Sequence, residues 1–481
     1  MIEMKKHEQA MFISGIWKQK EEMINVYDPA TDELIATVPK GTKADMEEAL
    51  RSAKKGLKIA SKMSTRQRMD ILLNVVERIL NEREEIAQII SSEGVKTISE
   101  ARREARRAAE TLRLCAEEAR RIGGTTLNFD QMEGSEHRHG YTVRFPIGIV
   151  GAITPFNDPL NLVAHKIGPA IASGNAVILK PATETPLSAL WLTRKFIEAG
   201  LPKHILNVVT GRGQDVIPPL VEHPEVRLIS FTGGLRTGEK LAKDAGLKKI
   251  SMELGANSPF LVFADADVKK QRKPRFLGRF AAGGQNCLSV QRMLVSEQVV
   301  EDFTKYCLEE TAALQFGDKK NEQDDMGPLI NEREANRVIE WVDAAVDAGA
   351  TVLIGGKKYG NYVEPTIMQD VPRDSLLYQE EIFGPVAMIQ SFTTYNEAMT
   401  LANEVNYGLQ AGVFTTSLQT AHNTIRDLHV GGVMINDSSD FRIDAMPFGG
   451  TKGSGVGREG VYDAMVEMTE QRVVCFNNQD Q

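Results

Sequence analysis

The chain has few cysteines and no two of them close together. Only 4 of its 481 residues are cysteine, and no Cys-x-x-Cys motif occurs. Paired cysteines are the usual ligands of structural zinc, so we expect no metal site. So few cysteines in a long chain are typical of a reducing compartment. Residues 1–9 lack the apolar stretch of a signal peptide, and we therefore expect a cytoplasmic protein.

Long apolar runs and a strong charge of one sign are also absent. No segment approaches the roughly 18 uninterrupted apolar residues of a transmembrane helix, which predicts no membrane association. The net charge is −8, and this acidic balance argues against a nucleic-acid partner. The apolar content of 42% is ordinary for a globular protein, and a prior of roughly 150 residues per domain predicts two or three domains.

What the chain does contain is a regular alternation of apolar and amphipathic segments. Residues 11–40 are typical of short strands, residues 43–122 of helices, and residues 125–145 of a polar hairpin outside the main sheet. Apolar strands then alternate with helices over residues 148–232, and the same alternation resumes after Cys287. Continuous apolar strands between helices indicate parallel sheets covered on both faces. We predict an α/β protein of two lobes that meet near residues 254–264.

The most distinctive cysteine is Cys287, which ends the glycine loop Phe280-Ala-Ala-Gly-Gly-Gln-Asn-Cys. Glycine lets the backbone approach a ligand closely, so a thiol after such a loop can attack a small electrophile. The alternative is a buried structural cysteine, which is the usual fate of a free thiol. The polar, glycine-rich approach favours the nucleophile.

Two further residues would complete a set for chemistry at a carbonyl carbon. Glu253 follows an apolar segment and offers a carboxylate as a general base. Asn157 lies just after the apolar run Gly148-Ile-Val-Gly-Ala-Ile, where its amide could donate to a developing oxyanion. An asparagine between two prolines can equally cap a turn. The spacing alone does not pair Glu253 with Cys287.

Several loops after predicted strands have the composition of a nucleotide site. Gly233 and Gly234 follow one strand and open a helix, where free backbone amides suit a phosphate. Gly213 belongs to a second glycine loop, which lacks the third glycine of the common dinucleotide fingerprint. Lys180 ends another strand, where it either contacts a ribose or phosphate or is simply solvated.

Glu381 and Phe383 share one loop, Glu380-Glu-Ile-Phe-Gly-Pro. The carboxylate could accept a hydrogen bond from a ribose hydroxyl, and the aromatic ring could back a flat nicotinamide. The alternative is an acid at the end of a helix beside a phenylalanine of the core.

The chain resembles the NAD(P)-dependent aldehyde dehydrogenase superfamily nearly end to end, from Phe12 to Met468, and seven motifs in order carry the resemblance. They are Thr154-Pro-Phe-Asn, Lys180-Pro-Ala, Phe231-Thr-Gly-Gly, Met252-Glu-Leu-Gly-Ala-Asn, Gly284-Gln-Asn-Cys, Glu381-Ile-Phe-Gly-Pro and Pro447-Phe-Gly-Gly-Thr-Lys-Gly-Ser-Gly. The resemblance implies a Rossmann-like cofactor domain at residues 1–123 and 146–254 and an α/β catalytic domain at 255–468. A small β oligomerisation element would use residues 124–145 and 469–481. Members of this family are usually homodimers or homotetramers.

The resemblance also implies a role for each candidate residue. Cys287 would be the nucleophile, Glu253 the general base, and Asn157 with the Cys287 backbone amide the oxyanion hole. NAD or NADP would contact the following residues: Ile153, Thr154, Phe156, Lys180, Thr183, Gly213, Gly233, Gly234, Leu254, Glu381 and Phe383. The thiolate would add to an aldehyde, hydride would leave to the nicotinamide, and Glu253 would activate the water that releases a carboxylate.

Within the superfamily, the segment Asn436-Asp-Ser-Ser-Asp-Phe-Arg-Ile-Asp-Ala-Met-Pro is similar to lactaldehyde dehydrogenases and related enzymes of short hydroxy-, phosphono- or sulfo-aldehydes. Arg442 lies in that segment. Arg107, with Arg103 and Arg106, lies on a helix that in relatives can supply an anion-binding arginine. These residues predict a small polar or anionic aldehyde as substrate, of the lactaldehyde, sulfolactaldehyde or succinate semialdehyde type, although each arginine could instead be solvated.

Three positions depart from the family pattern. Asn286 stands where relatives specific for phosphonoacetaldehyde or phosphorylated aldehydes carry an arginine, which weakens the phosphonate interpretation. Thr183 stands where NAD-preferring relatives often carry a glutamate, which makes NADP plausible, although Glu184 is adjacent. The third departure is a basic run at residues 269–279, with Pro274 inside an expected apolar helix. Three interpretations of this run are open: the helix begins after Pro274, the basic run is partly exposed to solvent, or the reading frame of the source sequence is locally shifted.

Two other functions stay open at this point. A CoA-acylating aldehyde dehydrogenase would share the fold and Cys287 but would not need Glu253 as a base, so the glutamate favours hydrolysis. A non-catalytic protein on the same scaffold is the second alternative, and the intact set of Cys287, Glu253 and Asn157 argues against it.

Overall fold

The computed structural model describes residues 7–267 and 278–478. It opens with five short strands, where the pattern of residues 11–40 predicts strands. They are β1 His7–Glu8, β2 Met11–Ile13, β3 Ile16–Lys18, β4 Met23–Tyr27 and β5 Leu34–Pro39. β2 and β3 form a hairpin whose turn residues, Ser14 and Gly15, have φ of 61° and 79°. These are the left-handed angles that a tight hairpin turn needs.

Four helices then cover the predicted helical segment: α1 Lys43–Ala60, α2 Thr65–Asn81, α3 Arg83–Glu93 and α4 Ile98–Ala119. Capping boxes begin α2 and α4. Ser64 and Thr97 each accept from the backbone N–H three residues later, and Gln67 and Glu100 accept from the cap backbone in return. Each box satisfies two backbone donors that the helix itself leaves unpaired. The alanine-rich face of α4 packs into the largest core of the protein.

Strands alternate with helices in the next part of the chain, as the sequence predicts. The order is β6 Thr126–Leu127, a 3₁₀ turn Phe129–Gln131, β7 Arg138–Pro146, β8 Ile149–Ile153, α5 Asn161–Ala172, β9 Ala176–Lys180, α6 Leu187–Glu198, β10 Leu206–Val208, α7 Gly213–Glu222, β11 Val226–Thr232, α8 Leu235–Ala245, β12 Lys249–Glu253 and β13 Ser258–Val262. β8, β9 and β13 are buried along their whole length, which a parallel sheet covered on both faces requires.

The alternation resumes after residue 278. The order is a 3₁₀ turn Gly278–Gly284, β14 Val290–Ser296, α9 Val300–Ala312, α10 Glu332–Asp347, β15 Thr351–Ile354, β16 Lys358–Tyr359, β17 Tyr362–Val363, β18 Thr366–Gln369, α11 Leu376–Gln379, β19 Val386–Phe392, α12 Tyr395–Asn403, β20 Tyr407–Gly408, β21 Gln410–Phe414, α13 Leu418–Asp427, β22 Gly432–Ile435, β23 Thr451–Lys452, β24 Gly455–Val456, α14 Val461–Glu467 and β25 Thr469–Asn477. Most of the basic run, with Pro274, lies outside the described residues.

The first large sheet has eight strands in the order β24-β12-β11-β8-β9-β10-β2-β3. Its five central strands, β8 to β12, are mutually parallel. The chain runs outward from β8 through β9 to β10 and then returns to β11 on the other side of β8. Such a reversal of strand order opens a crevice at the carboxyl ends of the strands, where open α/β sheets bind ligands.

The second large sheet has seven strands in the order β15-β18-β19-β14-β13-β21-β22. All neighbours are parallel except the edge pair β15 and β18. β12 and β13 are consecutive in the chain but belong to different sheets. The crossover at residues 254–257 therefore joins the two lobes, within the segment that the sequence predicts. The exact domain bounds stay a prediction.

A separate three-stranded sheet has the order β25-β7-β6. β25 pairs antiparallel with β7 over its whole length, from Thr469 opposite Pro146 to Asn477 opposite Arg138. The predicted hairpin and the C-terminal strand are thus one element, which leaves Tyr141, Val473 and Phe476 exposed. Among the helices of residues 7–267 and 278–478, none combines the length and apolar character needed to cross a bilayer.

Candidate active site

The loop before Cys287 has an unusual backbone. Ala282, Gly283 and Gly284 have φ of 55°, 66° and 72° in succession. Two of these left-handed residues are glycines, as the conformation favours. A Cβ at Gly284 would lie 2.1 Å from the carbonyl oxygen of Gly384, so only glycine allows this close approach. The glycine loop in the sequence is therefore explained by the path that brings Cys287 to the junction of the lobes.

The thiol of Cys287 lies in a cavity of about 230 Å³ between the two lobes. The lining includes side chains from α4, from the loop after β8 and from the loop after β22. Its residues are Lys96, Glu100, Arg103, Glu104, Arg107, Asn157, Asp158, Leu162, Ala281, Ala282, Gln285, Asn286, Cys287, Leu288, Asp440 and Arg442. The structure thus brings together four predicted site residues that are far apart in the sequence: Asn157, Cys287, Arg107 and Arg442.

Asn157 reaches this cavity because it follows the carboxyl end of β8. It is 9% exposed, and within the described part of the chain no hydrogen bond engages its amide. The backbone N–H of Cys287 also has no acceptor among the described residues. Two donors therefore remain free beside the thiol, which is the arrangement that an oxyanion requires. The turn-capping alternative for Asn157 has no hydrogen bond to support it.

Glu253 ends β12 and is 2% exposed, so it is not the surface acid that its position in the sequence also allowed. Neither carboxylate oxygen has a hydrogen-bond partner among the described residues. Burial and then the charge of Glu459 raise the pKa of the Glu253 carboxyl well above its usual range. A buried carboxyl without partners is costly, so such groups concentrate at functional sites.

A glycine-rich segment near the C-terminus encloses Glu253. Gly455 in β24 pairs with Glu253 in β12, and a Cβ at Gly455 would lie 2.2 Å from the carbonyl oxygen of Met252. A Cβ at Gly449 would lie 2.9 Å from the Glu253 carboxylate. The motif Pro447-Phe-Gly-Gly-Thr-Lys-Gly-Ser-Gly therefore covers the candidate base, at the edge of the first sheet.

Sequence reasoning missed a buried ion cluster beside Glu253. Glu459 binds the ammonium of Lys166 at 2.9 Å and the guanidinium of Arg442 at 3.4 Å. Burial opposes ionisation of Glu459, but Lys166, His165 and Arg442 together hold its pKa at about 2. The available signal was Lys166 itself, a charged residue inside the apolar helix α5.

The surroundings of Cys287 favour the protonated form of its thiol. Burial, with the negative charges of Glu381 and Glu253, raises the pKa of its thiol to about 12, and Arg442 opposes part of that rise. The thiolate is the nucleophilic form of cysteine. Attack on a substrate therefore requires a nearby group that accepts the thiol proton.

The predicted cofactor residues lie along the carboxyl ends of the parallel strands. Ile153 ends β8, Lys180 ends β9 and Gly233 follows β11; the N–H of Thr154 donates to the carbonyl of Lys180 at 3.2 Å. Gly234 begins α8 without a side-chain cap, and a Cβ there would meet nothing within 4 Å. Open space at an uncapped helix start fits a phosphate group. Gly213 likewise begins α7, and Leu254 follows β12.

Lys180 and Thr183 form a hydrogen-bonded pair at one end of this row. The Lys180 ammonium donates to the Thr183 hydroxyl at 3.2 Å, and that hydroxyl donates to the carbonyl of Gly211 at 3.2 Å. Burial lowers the pKa of Lys180 to about 8. Lys180 is 4% exposed, so it is not the solvated lysine of the alternative interpretation.

Glu381 and Phe383 lie at the other end. The Glu381 carboxylate accepts from the N–H of Ala256 at 2.8 Å, and burial raises its pKa to about 7. Phe383 has φ of 45°, a strained angle for an aromatic residue, and its ring meets that of Phe156 edge-on at 5.8 Å. Backbone strain of this kind persists where the surroundings impose it, commonly at ligand sites.

The arginines around the cavity differ in whether their charges are already paired. Arg107 binds Asp444 at 2.7 Å and lies 3.8 Å from Asp158. Arg442 binds Glu459 and stacks over the ring of Phe448, although its Nε is buried without a partner. Arg103 lines the same cavity, and no acid among the described residues pairs with it.

A thiol and two free donors thus lie in one cavity between two α/β lobes, beside a row of strand-end loops, and Glu253 is buried outside the residues that line this cavity. These features are typical of a nucleotide-dependent oxidoreductase. Comparison with known proteins gives the family. Residues 16–474 match the aldehyde dehydrogenase family model, and the chain belongs to that family. It is 42% identical over 467 residues to a 3-sulfolactaldehyde dehydrogenase from Priestia aryabhattai, covering 97% of this chain and 98% of the relative.

Two solved structures share the fold over nearly the whole chain. Aldehyde dehydrogenase 21 from Physcomitrella patens, in complex with the reaction product succinate, has a TM-score of 0.95 and 34% identity, covering 99% of this chain and all of that one. Glyceraldehyde-3-phosphate dehydrogenase GapN from Methanocaldococcus jannaschii, complexed with NADP, has a TM-score of 0.91 and 37% identity, covering 96% and 100%. The predicted family, fold class and NAD(P) dependence are confirmed.

No cluster of three or more metal-ligating side chains occurs within residues 7–267 and 278–478.

Proposed function

We propose that this protein oxidises a short anionic aldehyde to its carboxylate with NAD(P)+. The Cys287 thiol gives its proton to Glu253, which passes it to solvent, and the sulfur adds to the aldehyde carbon. Asn157 with the Cys287 N–H stabilises the charge on oxygen. Bound NAD(P)+ would accept the hydride from the aldehyde carbon. Loss of this hydride leaves the acyl group on the sulfur as a thioester. Glu253 removes a proton from water, which attacks the thioester, releases the carboxylate and restores the thiol.

The observation that carries the proposal is the Glu253 carboxylate, which is buried with both oxygens unpaired. A purely structural glutamate at this depth would be expected to have hydrogen-bond partners. A general base needs a free lone pair and enough basicity to accept a proton, and burial with the charge of Glu459 provides the second property by raising the pKa of Glu253. The same observation favours hydrolysis over transfer of the acyl group to coenzyme A, which would need no such base.

Arg103 supports an anionic substrate. A buried anion needs a cation that is not already neutralised, and Arg103 lines the cavity without a counter-ion in the described part of the chain. Arg442 adds one unpaired buried nitrogen, whereas Arg107 is committed to Asp444 and Asp158. The sulfonate and carboxylate groups named for the relatives' ligands share this charge. We therefore infer a short aldehyde with a carboxylate or sulfonate.

The test compares charged and neutral aldehydes of similar size. Wild-type enzyme should oxidise succinate semialdehyde and 3-sulfolactaldehyde much better than butanal, and C287A should oxidise none of them. Arg103→Gln should lower kcat/KM for the anionic aldehydes about 10- to 100-fold, the worth of a hydrogen bond to a charged group, and leave butanal unchanged. Arg106→Gln is the matched control, because Arg103 and Arg106 are both exposed on the same helix but only Arg103 lines the cavity. Equal losses for charged and neutral aldehydes would exclude this role.

We also propose that NADP is the preferred cofactor. Thr183 presents a hydroxyl and no carboxylate beside Lys180, so a 2′-phosphate would meet a cation there, and the charge of Glu184, which also acts on Lys180, opposes only part of that attraction. The ratio of kcat/KM for NADP and NAD measures the preference directly.

The exposed apolar side chains of the β6-β7-β25 sheet support a homodimer or homotetramer built through that sheet. Sedimentation equilibrium tests it. The four free cysteines fit the reducing cytoplasm, which we propose as the location.

A further inference from the structure

One side chain on α4 connects the start of that helix to the nucleophile loop. Glu100 is 7% exposed and belongs to the capping box of α4, where one carboxylate oxygen accepts from the N–H of Thr97 at 2.9 Å. The other oxygen accepts from the N–H of Ala282 at 2.9 Å, 182 residues further along the chain. One carboxylate therefore anchors a helix of the first lobe and a loop of the second.

Ala282 is where the nucleophile loop adopts its left-handed path. It is the first of three successive residues with positive φ and the only one of them that is not glycine. A left-handed angle is strained for a residue other than glycine, so surrounding contacts must hold it. The contact on its N–H is Glu100.

The carbonyl of the same residue is held from the other side. Gln285 donates its side-chain amide to the Ala282 carbonyl at 2.8 Å and to the Pro328 carbonyl at 3.1 Å, and it accepts from the N–H of Ile330 at 3.0 Å. The backbone N–H and the backbone carbonyl of Ala282 are thus both held by side-chain hydrogen bonds. Cys287 follows two residues after Gln285, so this clamp determines where the sulfur lies.

We propose that Glu100 is a positioning residue for Cys287, acting through the backbone N–H of Ala282. The inference rests on the proposed function, in which Cys287 attacks the aldehyde. Glu100 itself touches no reacting atom. Its carboxylate keeps the strained loop closed, so that the half-buried thiol stays in the cavity that Asn157 also lines, aligned with the substrate carbon.

A positioning role predicts opposite changes in two measurements. In Glu100→Ala, kcat should fall at least tenfold, since a displacement of about 1 Å in an active site can cost about 10²-fold. Labelling of Cys287 by iodoacetamide at pH 9 should instead rise at least threefold, because a loosened loop exposes the thiol to water and removes the burial that suppresses the thiolate. The KM of Glu100→Ala for NADP should stay within twofold of the wild-type value.

A cap role alone would move neither measurement, and Gln67→Ala is the control for it. Gln67 has the same position in the capping box of α2, away from the cavity. Its loss should lower the melting temperature and leave kcat and the labelling rate unchanged. If Glu100→Ala behaves in the same way as Gln67→Ala, the proposal is wrong.

A double-mutant cycle with Ala282→Gly gives the sharpest test, because glycine adopts a left-handed angle without strain. The kcat loss caused by Glu100→Ala should shrink to less than threefold in the A282G background. An equal loss in both backgrounds would overturn the proposal. If Glu100→Ala does not fold, Glu100→Gln keeps one acceptor and should show a smaller loss with the same rescue. Wild-type enzyme that oxidises no aldehyde would refute the proposed function instead, while the labelling comparison still tests Glu100.

Discussion

The pKa of Cys287 leads to a prediction that differs from what the sequence suggests. A nucleophilic cysteine is expected to react selectively with iodoacetamide. The structure predicts the opposite for the cofactor-free enzyme, because burial and the charges of Glu381 and Glu253 raise the pKa of the thiol to about 12. Cys287 should therefore be labelled more slowly than an ordinary exposed thiol, although it lines an open cavity.

The size of the effect follows from the fraction of thiolate. At about pH 7.5, an ordinary thiol with a pKa of about 8.5 is roughly 9% ionised. A thiol with a pKa of about 12 is ionised to about 3 × 10⁻⁵, which is roughly 3,000-fold less. The more basic thiolate is intrinsically more nucleophilic, with a Brønsted slope of about 0.45, and this recovers roughly 40-fold. The net expectation is labelling about 80-fold slower than for an ordinary thiol.

Mass spectrometry of a tryptic digest measures this rate within one sample. Cys475 is exposed on β25 and serves as the internal reference, whereas Cys115 and Cys307 are buried and should stay unlabelled in the native protein. The Cys287 rate should rise about tenfold per pH unit up to at least about pH 9.5, because the thiol is far from its pKa. A plateau between about pH 7 and pH 8.5, or a rate equal to that of Cys475, would refute the reasoning.

The cause of the shift can be tested separately. Glu381→Gln removes the negative charge that contributes most to the raised pKa of Cys287, so labelling above pH 7 should be faster than in the wild type. Glu22→Gln is the control, since Glu22 lies on the exposed surface opposite Lys40. If both variants label at the wild-type rate, burial alone sets the pKa.

Three further predictions follow from single contacts. Glu93→Ala removes the acceptor of the Leu187 and Ser188 N–H groups at the start of α6, and it should lower the free energy of unfolding by about 2–4 kcal/mol in thermal melts. Glu84→Ala is the control, because Glu84 belongs to an exposed ion pair and its loss should cost at most about 1 kcal/mol. Burial raises the pKa of Glu93 to about 7, so the stability that this group contributes should decline as the pH rises from about 4.5 to 7, and Glu93→Gln should flatten that decline. Thr183→Glu should turn the kcat/KM preference from NADP towards NAD, because a carboxylate repels a 2′-phosphate; an unchanged ratio would show that the site lies elsewhere. Asn157→Ala should lower kcat by about 10²–10³ with little change in KM, and an equal rise in KM would argue against a role confined to the transition state.

The alternation of apolar strands and helices was enough to predict both lobes and their junction. Each strand end then located one candidate residue, because parallel strands present their carboxyl ends at the same edge of a sheet. Asn157, Lys180 and Glu253 all follow this rule. The basic run before Cys287 falls on residues that the structure does not describe, so its conformation stays a prediction.

Contacts between distant segments were not predictable in the same way. β24 is only two residues long, so no periodic pattern marks it, yet it pairs with the strand that carries Glu253. The ion pair of Lys166 with Glu459 joins residues 293 positions apart. A sequence shows that Lys166 is an anomaly within an apolar helix but does not show which acid neutralises it. The same limit applies to Arg442. The sequence predicts a substrate contact for this arginine but does not show that its guanidinium binds Glu459.

The burial that makes the thiol unreactive also makes the carboxylate a useful base. A thiol with a raised pKa resists oxidation, since the sulfenic acid forms from the thiolate. Glu253, in the same desolvated region, has a pKa raised well above that of an exposed glutamate and has no hydrogen bond to lose when it takes up a proton. One environment therefore raises the pKa of both the proton donor and the proton acceptor, and the higher basicity of Glu253 suits it to accept the proton of Cys287. If so, Glu253→Gln should slow both acylation of Cys287 and hydrolysis of the thioester in rapid-quench experiments, whereas a base that acts only on water would leave the first step at its wild-type rate.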